Sequence, residues 1–281
     1  MTQNSSSEWI DRLARFGYAA KGIVYALVGV LAVQAAFTGG GKTTDTKGAL
    51  QTIISQPFGQ ILLTLVAIGL FGYVLWRFVE AIVDPEHHGS DAKGIGKRIG
   101  YAISGIIYGA LALTAVGMVS GSQSTGGGGT STQGWTARLM SQPFGRWLVG
   151  VVGAIVVGVG FYHFYKAFTA KFRKKLKVRE MSLKEEKWAV RIAKFGLVAR
   201  GVVFVIIGFF LLQAAYQSDA SEARGLAGVL DTLLRQPYGP WLMGLLALGL
   251  VAYGIYMGVQ ARYRRIIAPN IDPGEAVSAG Q

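Results

Sequence analysis

Apolar residues along this chain fall into six runs of roughly 20 positions, at 17–37, 58–83, 100–119, 144–168, 196–216 and 238–263, separated by polar stretches. A helix of that length crosses the hydrocarbon core of a bilayer, whereas an apolar soluble helix carries a shorter amphipathic stripe. The pattern therefore predicts an all-α integral membrane protein with six transmembrane helices. Weaker helical patterns sit in the connections. Leu226, Val229, Leu230 and Leu233 share an i, i+3, i+4, i+7 face, Leu50, Ile53 and Ile54 repeat part of it, and Trp135, Leu139 and Met140 keep a remnant. These predict short helices lying at the interface. Met1 to Ser7 are polar and read as unstructured, and Trp9, Leu13 and Phe16 follow as an apolar lead-in with Arg12 and Arg15 on its wet side.

The runs are related to one another. Gln56-Pro57-Phe58-Gly59 returns as Gln142-Pro143-Phe144-Gly145 and as Gln236-Pro237-Tyr238-Gly239, each time opening an apolar run. The chain thus reads as three tandem two-helix hairpins, 1–90, 91–180 and 181–281, with the proline expected at the first position of the second helix, where its missing N–H is no loss. A unit with two spans enters and leaves on the same side, so the copies are parallel repeats with a pseudo-threefold axis along the membrane normal. The first span starts like a secretory leader, but the same element recurs near Gly100 and Gly196, which keeps it in the mature chain. Gly39-Gly40-Gly41-Lys42 and the run Gly126 to Gly129 lack the full phosphate-loop pattern and read as flexible connections.

Composition agrees with a membrane protein: 51% hydrophobic and only 15% charged residues, with a mean hydropathy of +0.39. The absence of cysteine removes disulfides, thiolate metal sites and a cysteine nucleophile. A net charge of +13 raises the question of nucleic acid. The densest cluster, Lys171, Arg173, Lys174, Lys175, Lys177 and Arg179, directly follows an apolar run, and such clusters set topology and touch anionic lipid headgroups, here along the 171–194 connection. The N-terminal segment, the 93–98 connection, the 171–194 connection and Arg262, Arg264 and Arg265 all fall on one side. By the positive-inside rule both termini are cytoplasmic, in an inner membrane, and the Gln-Pro motifs face outward.

The openings Lys21-Gly22, Ser104-Gly105 and Arg200-Gly201, the Gln-Pro-aromatic-Gly motif, and the ending Gly72, Tyr73, Trp76, Arg77, Glu80, Ala81 carry a further likeness. Together they resemble the bacterial membrane family catalogued as domain of unknown function 1206, over nearly the whole chain. The resemblance implies three repeats and six helices and brings no activity with it. The middle repeat departs from the pattern, with Ser104 in place of a basic residue and His163 and Lys166 where the first repeat has Arg77 and Glu80.

Ionisable groups inside spans are the first candidates for chemistry. Arg77, His163 and Met257 occupy equivalent positions, as do Glu80, Lys166 and Gln260 one turn later. Arg77 and Glu80 can pair at i, i+3 as structural anchors, or the set can bind a ligand or a proton. Gln56, Gln142 and Gln236 can ring the axis as ligand groups, or serve the helix starts. Lys21 and Arg200 read as markers of the membrane boundary. No haem or metal site is expected, since His163 lacks a partner and His87 and His88 lie in a polar loop, and the chain shows no catalytic constellation. Small residues at Gly105 and Gly109, at Gly150, Ala154 and Gly158, and at Gly254 and Gly258 predict close helix packing. The functional expectation is a non-enzymatic protein that binds lipid or a membrane partner, with a small-solute transporter or channel as the alternative. Against the alternative, the spans show almost no polar residue at mid-depth.

Overall fold

The computed structural model describes residues 5–38, 43–87, 89–122 and 132–266. The Gly39–Lys42 and Gly126–Gly129 connections, His88 and the segment after 266 lie outside them. The described chain forms α1 (Ser5–Phe37), α2 (Thr46–Ile54), α3 (Gly59–Ile82), α4 (Ala92–Val119), α5 (Thr132–Met140), α6 (Gly145–Thr169), α7 (Leu183–Gln217), α8 (Leu226–Leu234) and α9 (Gly239–Tyr263). Six of these, α1, α3, α4, α6, α7 and α9, are long and apolar enough to cross a membrane. Helix α1 begins at Ser5, inside the stretch expected to be unstructured.

The Gln-Pro motif is a turn that precedes the helix. Pro57 falls two residues before α3, and the aromatic residue that follows it takes the left-handed conformation, with φ 59° at Phe58, 60° at Phe144 and 61° at Tyr238. The expectation of proline at the first helical position is corrected accordingly. The turn closes through the main chain, where the N–H of Gly59, Gly145 and Gly239 donates at 2.8 Å to the carbonyl of Gln56, Gln142 and Gln236. A Cβ on Gly59, Gly145 or Gly239 would run into the carbonyl of Ile54, Leu139 or Leu234, so the motif needs its glycine for space.

The spanning helices pack in the order α4, α3, α1, α9, α7, α6. The equivalent contacts between repeats, α1 with α9, α7 with α6 and α4 with α3, support the pseudo-threefold arrangement. Their detail repeats as well. A Cβ on Gly22 would stand 2.8 Å from the carbonyl of Gly254, and one on Gly201 would stand 3.0 Å from that of Gly160. In the third copy Val74 replaces the facing glycine, and a Cβ on Gly105 would stand 3.2 Å from the Phe78 ring. Backbones approach this closely because packing, with no hydrophobic effect inside a bilayer, drives helix association. On α6 the working stripe is Gly153 and Gly160 against Gly208 and Gly201, while Gly158 has open space beside it, so the expected Gly150, Ala154, Gly158 face is displaced by a fraction of a turn.

The hairpins of repeats one and three pack on themselves, α1 on α3 and α7 on α9, but α4 and α6 of the middle repeat do not pack on each other. They end the row of helices and are its least buried spans. The row curls round a common interior, since Tyr25 of α1 reaches Tyr108 of α4, Tyr253 of α9 and Arg200 of α7. The short helices diverge too. Helix α2 buries Ala49, Leu50 and Ile53 and α8 buries Val229 and Leu230, whereas α5 buries only Thr136 and rests on α6 and the turn at Ala220–Glu222.

At the opposite end from the motifs, the basic segments meet. Arg15 donates to the carbonyls of Ala261, Arg262 and Arg264 at 3.0, 2.6 and 3.2 Å. Arg98 caps α3 through the carbonyls of Ala81 and Ile82 at 2.8 and 3.0 Å, where the helix dipole favours a cation. The 171–182 connection folds as two 3-10 turns that bury Phe172 and Leu176, and Lys177 N–H donates to the carbonyl of Tyr263 at 2.7 Å.

Candidate functional site

Lys21 is the first surprise of the interior. It lies four residues into the apolar run 17–37 and is enclosed by neighbouring helices. Its side chain is 3% exposed. The ammonium donates to Tyr73 OH at 2.8 Å and sits 4.4 and 4.2 Å from the ring centroids of Tyr73 and Tyr108, a cation held by aromatic faces. Tyr108 OH in turn donates to Tyr25 OH at 3.0 Å. Arg200, the equivalent residue of the third repeat, packs against Tyr253, Tyr25 and Phe204 with its Cζ 4.6, 5.1 and 5.1 Å from their centroids. Its Nε and Nη1 are buried without a hydrogen-bond partner. Lys21 and Arg200, read from the sequence as markers of the membrane boundary, are thus enclosed within the bundle by aromatic side chains.

Nearer the basic end, Glu80 is 1% exposed and accepts from Arg77 Nη1 and from Arg264 Nη2, each at 2.6 Å. Arg264 also donates to Gln260 Oε1 at 2.7 Å and to Glu86 Oε1 at 3.2 Å, and Arg77 donates to Tyr18 OH at 3.2 Å. Lys175 completes the network, donating to Glu86 at 2.5 Å and to Tyr101 OH at 3.0 Å. Burial, reinforced by the nearby Arg264 guanidinium, lowers the Lys175 ammonium below the ordinary lysine range, while Glu86 opposes the shift.

The expected Arg77–Glu80 pair thus exists, and Gln260 joins it. Lys166, at the position equivalent to Glu80, pairs with no carboxylate among the described residues, and Lys175, Arg264, Arg77 and Arg200 are cations close enough to act on it. His163 Nδ1–H donates to the Val159 carbonyl at 2.8 Å and its ring stacks on Phe204 at 5.3 Å, which brings it beside Arg200. Gln56, Gln142 and Gln236 are exposed at the far end, and none caps its helix with its side chain. Among the described residues no three His, Asp or Glu side chains group as metal ligands. Sequence reasoning missed Lys21, Arg200, Arg264 and the tyrosines around them. The available signal was Lys21 with Tyr25 one turn on, matched by Arg200 with Phe204, both inside otherwise uncharged runs.

A family model described as Domain of Unknown Function (DUF1206) matches residues 16–84, 99–170 and 195–264. The chain belongs to the DUF1206 family. The three matches coincide with the three repeats. The DUF1206 protein is also similar to "Uncharacterized protein YxxB" of Bacillus subtilis (strain 168), at 38% identity over 264 residues and 94% of both chains. No solved structure matches it.

Proposed function

We propose that this DUF1206 protein is a non-enzymatic binder of an anionic amphiphile, seated in the inner membrane with its basic end in the cytoplasm. The observation that carries the reading is the charge imbalance of the interior. Lys21, Arg77, Lys166 and Arg200 stand on four spans, and the one buried carboxylate that the described residues of those spans supply is Glu80. Charges in a membrane are retained when they are paired or functional. Arg77 is paired. Arg200 and Lys166 have no protein counter-ion among the described residues, and a ligand anion supplies one. A lateral entry from the bilayer fits best between α4 and α6, which pack on α3 and α7 rather than on each other, and the exposed Lys171, Arg173 and Lys174 attract anionic headgroups to the basic surface.

Mass spectrometry of lipids retained by protein extracted from native membranes tests this. Enrichment of an anionic amphiphile over its bulk share, reduced by Lys166→Leu, is the expected result. Retention of lipids in bulk proportion would overturn it. The transport reading gains one observation, the charges of Lys21 and Arg200 inside the bundle, and is separated by anion flux into reconstituted vesicles: flux that depends on Arg200 favours transport, and binding without flux favours the proposal.

A further inference from the structure

A cavity of ≈ 140 Å³ opens beside Arg200, on the side away from the Glu80 network. The polar residues on its lining are Arg200, Tyr25 and Thr46. Val203, Ile207, Leu226 and Leu250 give it an apolar wall that runs from the level of Arg200 toward the first residues of α2 and α8. We infer that this cavity is a head-group pocket for a monocarboxylate with a hydrocarbon tail, and that Arg200 is its anion-binding residue. The inference rests on the proposed binding of an anionic amphiphile and names the class and the place.

Three features lead there. Arginine stays protonated in a protein, so Arg200 cannot escape its missing counter-charge by losing a proton. The rings of Tyr253, Tyr25 and Phe204 lie against the guanidinium and stabilise the charge, but a ring face accepts none of its in-plane N–H groups, and Nε and Nη1 remain buried and unpartnered. The cavity is lined by the same arginine, so an anion seated in it lies beside this uncompensated charge. A carboxylate supplies two acceptor oxygens and one negative charge, which matches a guanidinium in geometry and in sign. A phosphate dianion would meet one cation on the lining and keep a charge uncompensated, in a site whose remaining surface is mostly apolar. At about 30 Å³ of liquid volume per water the space holds about five, room for a carboxylate head group and the first carbon or two behind it. Thr46 and Leu226 close the far end, so α2 and α8, the two short helices that bury into the bundle, form the pocket's outer wall, and α5 has no part in it.

The carboxylate has two possible sources, a fatty acid dissolved in the bilayer or a short acid from solution. Full-length protein in phosphatidylcholine nanodiscs is titrated with oleate and, separately, with butyrate, each ¹³C-labelled at the carboxyl, and the bound resonance is followed by NMR. Saturable oleate binding, weakened at least tenfold by Arg200→Gln and partly restored in Arg200→Lys, is the expected outcome. Ile207→Phe, which fills the cavity and leaves the arginine in place, should weaken it too, and carries the test if Arg200→Gln does not fold. Butyrate bound as tightly as oleate at the same residue keeps the site and assigns it to an aqueous acid. Oleate bound equally by wild type, Arg200→Gln and Ile207→Phe overturns the site. If native protein still retains an anionic lipid in that case, only this inference fails; if it retains none, the broader reading fails with it.

Discussion

Removing the Glu80 carboxylate strips two guanidinium groups at once of a buried counter-ion, because Arg77 and Arg264 both reach it at 2.6 Å from different parts of the chain. Glu80→Gln keeps the volume and one acceptor oxygen and deletes the charge. Breaking a buried ion pair from one side costs about 3–5 kcal/mol, since the surviving charge stays desolvated. For a chain of this size that converts to a melting temperature lower by roughly 6 to 20 °C. The assay is thermal unfolding in detergent of wild type, Glu80→Gln, Arg264→Gln and the double variant. Arg264 is 4% exposed, so its loss leaves Glu80 with Arg77 alone. The double-mutant coupling should be about 1–3 kcal/mol, with the double variant less damaged than the sum of the singles. A Glu80→Gln protein melting within about 2 °C of wild type would refute the reasoning, as would strict additivity. Either would mean that the network is hydrated and worth no more than a surface pair.

Alanine at Gly59, Gly145 or Gly239 should each destabilise by roughly 1–3 kcal/mol, because the new Cβ meets a carbonyl of the preceding turn. Gly158→Ala, facing open space, should leave the melting curve unchanged. Lys175 supplies a pH test. Its ammonium is lowered in the folded protein, so between that value and the ordinary ~10.4 the unfolded chain binds more protons and stability rises with pH. Lys175→Met should flatten that slope in melting curves, and an unchanged slope would exclude Lys175 as its source. A reporter fused after Gln281 tests orientation: fluorescence of a cytoplasm-dependent reporter is expected, and activity of a periplasm-dependent one would reverse the topology.

Six spans, three repeats and a shared side for the basic connections were legible in the chain, because each depends on a property that runs along one dimension. A bilayer demands a minimum apolar length, a repeat shows itself by recurrence, and a positive cluster marks the end of a span wherever the helices later stand. The Arg77–Glu80 pair was legible for the same reason, as neighbours on one helix. What lay beyond that reach began with the Gln-Pro turn. Its left-handed aromatic and close glycine depend on where the preceding short helix ends.

The interior was decided only in three dimensions. Lys21 reads as a boundary cation until Tyr73 and Tyr108, from two other helices, enclose it. Glu80 reads as half of a local pair until Arg264 arrives from the far end of the chain. Nor does recurrence predict that the middle hairpin stays open, since α4 and α6 each present one packing face and spend it on α3 and α7. Helix periodicity leaves the azimuth of a span undetermined when nearly every side is apolar. The close contacts of Gly22 with Gly254 and of Gly201 with Gly160 set that azimuth, and the azimuth turns the lone cations of separate spans toward one another.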